Sequence, residues 1–290
     1  MKIIRLGGRT ADPAWWNMAA VGSPVPHPFR MGDRAAAHLV LLDWRARNPD
    51  RRLVIYDDPW QPGAEASRAL DPAWLFAGIA DEIVQAGHHR EPLPPPVGEN
   101  LYCRDLWYLW PRLRDRAAEP TIRPPPDALD RARRRLAEGG VGRRFVTLQP
   151  LFDAGYSVHR NAPWGWWLKL ARELTAVGPL VVLGDHRHRD VLARFPGALH
   201  LCSPGDGPME ALAAVSLAGL HVGGETGLTL WAGLFSTPLL AVYRFPIRTG
   251  LTDTRPLAFK APVGFGPVSG EPRPIARLAH RIFQDGRRTA

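Results

Sequence analysis

Gly223-Gly224-Glu225-Thr226-Gly227 is the group of residues in this 290-residue chain whose types and order most invite chemistry. It follows the apolar run Leu217 to Val222. It precedes a second run, Leu228 to Phe235, which breaks at Ser236-Thr237-Pro238 before Leu239 to Tyr243. The order reads as strand, tight turn, helix, strand. Such a turn presents backbone N–H groups and a helix N-terminus at the carboxyl end of a strand, where anions and phosphates are favoured. A purely structural βα turn carries the same signature, so the rest of the chain must decide. Other reactive residues are sparse. Cys103 and Cys202 lie far apart and have no metal spacing. His186-Arg187-His188 lacks the partners of a zinc site, so no metal is expected. Asp57-Asp58-Pro59 follows an apolar run, at the strand end where α/β folds place their sites.

Two series of elements position these residues. Lys2 to Leu6 reads as a first strand, and Gly7 to Arg30 as a loop rich in Gly, Pro and Trp. Gly32-Asp33 opens a helix through Ala36, Leu39, Val40 and Trp44 that Asn48-Pro49-Asp50 ends. Arg52 to Tyr56 follows as a strand. Asp71 to Ile79 reads as a short helix, and Glu82 to Val84 as a strand. Pro120 to Pro126 is a stiff linker, after which Asp127 is expected to cap a basic helix to Leu136. The second series starts with the strand Phe145 to Pro150 and continues through helix Trp166 to Leu174 and strand Leu180 to Asp185. Helix His188 to Phe195, strand Ala198 to Leu201 and helix Met209 to Ala218 lead into the opening stretch. The tail reads as loop until an amphipathic helix, Pro274 to Gln284. The fold class is therefore α/β, with two Rossmann-like domains facing a central cleft and a C-terminal helix closing back. The expected domains are residues 1–122, a linker and helix at 123–139, residues 140–270, and a terminal helix and tail at 271–290.

Composition narrows the function. The net charge is +9, and all but three of the 37 basic residues are arginine. No nucleic-acid motif accompanies the charge, so an anionic small molecule is the expected partner and nucleic acid is not. No run is long and apolar enough to span a membrane, and the N-terminus lacks a secretory h-region, so a cytoplasmic protein is expected.

The motifs together resemble the ADP-heptose:lipopolysaccharide heptosyltransferase family. The resemblance rests on Gly32-Asp33 to Tyr56, Arg160-Asn161-Ala162-Pro163 with the Trp-rich helix, Leu183-Gly184, and Met209-Glu210 to Tyr243. It implies a GT-B fold without a catalytic metal or cofactor, with a nucleotide-diphospho-sugar such as ADP-heptose as substrate. It implies an inverting transfer of that sugar to an acceptor, and the chain's departures from the family point to a small metabolite rather than lipopolysaccharide. Asp33 matches the family's general base, a role in which a carboxylate takes the acceptor hydroxyl's proton; a helix N-cap is the structural alternative. Arg160 stands where a lysine meets the pyrophosphate, and can hold phosphate bidentately. Gly224, Thr226 and Gly227 match the phosphate-side turn, and Glu225 an aspartate that contacts sugar hydroxyls. Gly184, with Asp185 or His188, falls at the ribose position. Ser157 in the loop before Arg160, and Met209, complete the donor set. The chain departs from the family in the roughly twenty residues between its first strand and Gly32, in Glu225 for aspartate, and in Leu230 for a helix histidine, with Trp231 following. Glu225, Leu230 and Trp231 are thus where substrate preference is expected. Two other readings stay open: a nucleotide-sugar epimerase or hydrolase using Glu210, Asp57 or His221, and a noncatalytic nucleotide-sugar-binding protein.

Overall fold

The computed structural model describes residues 2–7, 31–58, 70–85, 120–150, 162–184, 189–195, 198–201, 207–224, 226–243, 263–268 and 270–285. The chain divides into two compact units, Met1–Glu119 and Pro120–Ala290.

In the first unit, β1 (Lys2–Gly7), β2 (Leu53–Asp58) and β3 (Glu82–Gln85) form a parallel sheet in that order. The crossover from β1 to β2 contains α1 (Met31–Arg47), whose Ala35, Ala37, Leu39 and Leu41 are fully or nearly buried. The last turn of α1 is fastened by Arg45. Its guanidinium donates to Ile79 O at 2.8 Å, to Arg51 O at 2.9 Å and to the Asp81 carboxylate. Asp81 also accepts from Leu53 N at 2.6 Å. That backbone bond, then Arg45, holds the Asp81 carboxyl below its ordinary range. One exposed carboxylate thereby ties the starts of β2 and β3 to the helix that crosses them. The expected helix after Asp71 is the single turn α2 (Pro72–Leu75), capped by Asp71 accepting from Ala73 N at 2.9 Å.

The second unit opens with α3 (Pro126–Glu138). Asp127 does not cap it. Pro125 holds the cap position without a side-chain bond, and Pro126 takes the first helical place, where its missing N–H costs nothing. Asp127 instead pairs with Arg131 one turn on, at 2.7 Å. The chain then runs through β4 (Val146–Gln149), α4 (Trp164–Leu174), β5 (Leu180–Leu183), α5 (Arg189–Leu192), β6 (Ala198–Leu201), α6 (Pro208–Leu217), β7 (Leu220–Gly223), α7 (Gly227–Leu234), β8 (Leu239–Tyr243), β9 (Val263–Pro267) and α8 (Arg273–Asp285). The six strands are all parallel, in the order β6-β5-β4-β7-β8-β9. Counted along this unit that is 3-2-1-4-5-6, the doubly wound dinucleotide-binding order.

Because both faces are covered, the strands are largely apolar, and β5 and β7 are buried at every position. Val146, Leu148, Val182, Val222 and Leu240 face α4 and α8 in one core. Thr147 and His221 alternate to the opposite face, where α7 lies. The tail expected as loop contains β9. Its two glycines hide it from a pattern search, since a Cβ on Gly264 would run into Ile282 and one on Gly266 into Ile275. Glycine is what lets α8 lie close on this edge. Among the described residues, no helix is long and apolar enough to cross a membrane.

Candidate functional site

In the second unit's sheet, β4 and β7 are neighbours with Gln149 beside Gly223. The chain leaves β4 toward β5 on one side and leaves β7 toward β8 on the other. This divergence is the topological switch point, where doubly wound sheets open a crevice beyond the carboxyl ends of their strands. The glycine turn that dominates the sequence therefore sits where the fold places a ligand.

The turn is shaped from below. Thr226 N donates to Gly224 O at 2.9 Å, and Thr226 caps α7 in an extended conformation (φ −129°, ψ 168°). Its hydroxyl donates to Gln149 Oε1, tying the turn to the end of β4. Thr229 Oγ1 donates to Gly224 O at 2.7 Å. That commits the single hydroxyl proton of Thr229, so His221 Nε2, at 3.4 Å, must be the donor to the same oxygen. Nδ1 of His221 then accepts from Thr147 Oγ1 at 3.0 Å. The chain Thr147, His221, Thr229, Gly224 runs from the buried middle of the sheet to the turn. Thr147, His221 and Thr229 are wholly buried. Burial pushes His221 down to about 3, so the ring is neutral.

Two adjacent glycines have opposite reasons to be glycine. A Cβ on Gly223 would lie 2.7 Å from both His221 Nε2 and Thr229 Oγ1, so no side chain fits. At Gly224, among the described residues, the nearest atoms to such a Cβ are Thr226 Cγ2 at 3.9 Å and Trp167 Cζ2 at 4.0 Å, ordinary van der Waals contacts that a methyl group would meet without strain. Past it, the first-turn N–H groups of Gly227 and Leu228 have no acceptor within α7. The arrangement offers an anion two backbone donors and a helix dipole above a neutral, rigid floor.

The other expected site residues divide into three groups. Ser157, Arg160, Asp185, His188 and Glu225 lie outside the described residues. Asp33 is the third residue of α1, inside its first turn and not at its cap. Gly184 and Met209 each have packing partners. A Cβ on Gly184 would collide with Leu192, and Met209 packs on Ala128, Ala132 and Ala213 between α3 and α6. Trp231 is fully buried and packs at a tilt against Phe235, with ring centroids 5.6 Å apart. Glu210 forms an ion pair with Arg131. Thr147, Gln149, Thr229 and Trp167 escape sequence reasoning as site-builders. The available signals are a threonine and a histidine inside apolar strands, and a Thr-x-x-Thr spacing at a helix start.

Three solved structures share this fold along nearly the whole chain. The E. coli ADP-heptose lps heptosyltransferase II is 13% identical, covers 99% of this chain and 100% of its own, and superposes with a TM-score of 0.59. A glycosyl transferase family 9 protein from Veillonella parvula is 9% identical, with 98% and 97% covered and a TM-score of 0.62. The E. coli heptosyltransferase WaaC with ADP is 13% identical, with 100% and 99% covered and a TM-score of 0.51. No protein-family model and no curated protein sequence matches the chain.

Proposed function

We propose that this chain, which has the fold of solved heptosyltransferases, is a metal-independent, inverting glycosyltransferase of the GT-B type. It moves a sugar from a nucleotide-diphospho-sugar to an acceptor hydroxyl. The observation that carries the reading is the histidine-supported turn at Gly223 to Gly227, on the switch point of a 3-2-1-4-5-6 sheet.

In this reading the donor's diphosphate lies at the N-terminus of α7. The N–H groups of Gly227 and Leu228 meet it, and Arg160 supplies the cation a metal would otherwise provide. The Thr226 hydroxyl, committed to Gln149, shapes the turn. Glu225 takes sugar hydroxyls, and Asp185 or His188 the ribose. Asp33 accepts the acceptor's proton as that oxygen bonds to the anomeric carbon and the bond to the diphosphate breaks. The nucleoside diphosphate leaves with its charge already matched. Heptose as the sugar, and ADP as the nucleotide, come from what the E. coli neighbours are described as using. Lipopolysaccharide and a small metabolite are both candidate acceptors.

Two groups that an epimerase or hydrolase would use on this fold are already engaged. His221 is sealed beneath the sheet's end as a neutral ring, and Glu210 is held by Arg131.

The deciding experiment incubates the protein with ADP-heptose and other nucleotide sugars, with and without acceptors, and follows nucleoside diphosphate by mass spectrometry. Acceptor-dependent release is expected. Acceptor-independent conversion would move the protein to an isomerase or hydrolase, and binding without turnover to a noncatalytic role. Asp33→Ala is expected to keep donor binding and to lose at least about 100-fold in turnover; near-normal turnover removes Asp33 from the mechanism.

A further inference from the structure

We draw no further inference here: the strongest candidate, the basic face that Arg273, Arg277 and Arg281 present along the exposed side of α8, carries nothing because nothing in the structure shows what covers it.

Discussion

Two strands of the second unit, β5 and β7, run into glycine at their carboxyl ends, and by sequence the two ends look alike. Gly184 follows Leu180 to Leu183, and Gly223-Gly224 follows Leu220 to Val222. What lies next to them differs. Gly184 is pressed by Leu192 of α5, an apolar contact with nothing polar to present. Gly223 is pressed by His221 and Thr229, whereas a Cβ on Gly224 would meet described residues only at ordinary van der Waals distances. The first glycine is required by helix–strand packing. The second pair divides the labour, one residue admitting a polar support and the other able to carry a methyl group without strain. A glycine motif therefore acquires its role from the atoms that crowd it, and those come from other parts of the chain.

The comparison is broken most directly by adding a methyl group. Gly223→Ala places a Cβ 2.7 Å from two polar atoms that cannot both retreat without losing their partners. A loss of about 3 kcal/mol is expected from overpacking together with a disrupted buried network. Chemical unfolding of the wild type and variant checks it. A loss under about 0.5 kcal/mol would mean that the network is looser than the geometry describes.

Acid sharpens the comparison next, because the support beneath β7 is ionisable and the one beside β5 is not. The folded value of His221 is about 3, against 6.5 for the free side chain. Between these values the unfolded chain binds a proton that the folded chain refuses. The stability is thus fully present above pH 6.5 and is lost as pH falls toward 3, at about 1.4 kcal/mol per pH unit for one proton. His38 in the first unit behaves similarly, with burial pushing it to about 4. Its Nδ1 donates to Leu75 O at 2.7 Å. His221→Gln is expected to remove one proton from the acid dependence of the second unit and leave that of the first unchanged. An unaltered slope across pH 6.5 to 4 would show that His221 does not carry it.

How far these distinctions could be read in advance depends on where each signal resides. The alternation of strand and helix is local, and the apolar runs at Leu180 to Leu183 and Leu239 to Tyr243 announce strands buried on both faces. β9 is the exception, because Gly264 and Gly266 answer to Ile282 and Ile275, which no window around the strand contains. The turn at Gly223 to Gly227 is legible as anion-friendly for the same local reason. Its support is not, because Thr147 and Gln149 lie more than seventy residues before their partners. His221 is visible only as a polar residue in an apolar run, which suggests acid–base chemistry until its complete burial assigns it to shaping the turn. Trp231 misleads in the opposite direction: it falls within the motif and faces the core.

A smaller effect is expected at the other strand end. Gly184→Ala pushes on the tip of Leu192, a flexible terminus that can yield, so the cost is about 1 kcal/mol. Shortening the obstacle in the double variant Gly184→Ala/Leu192→Val is expected to recover part of it, measured as a positive coupling in a double-mutant cycle. Additive losses would show that Gly184 is held by something other than packing with Leu192, and would favour a ligand role at β5.

The smallest stability change is expected at Gly224, and it isolates the ligand-facing side of the turn from its support. A Cβ there has only ordinary van der Waals neighbours, at 3.9 and 4.0 Å. Gly224→Ala should therefore alter unfolding free energy by no more than about 0.5 kcal/mol, while intruding on the space an anion would occupy. Pyrophosphate affinity measured beside the denaturation curve separates the two quantities. Binding that weakens without a change in stability means that the space is kept open for a ligand. Stability lost in step with binding would instead make Gly224 a second Gly223, and the division of labour at the end of β7 would collapse into one packing requirement like that at β5.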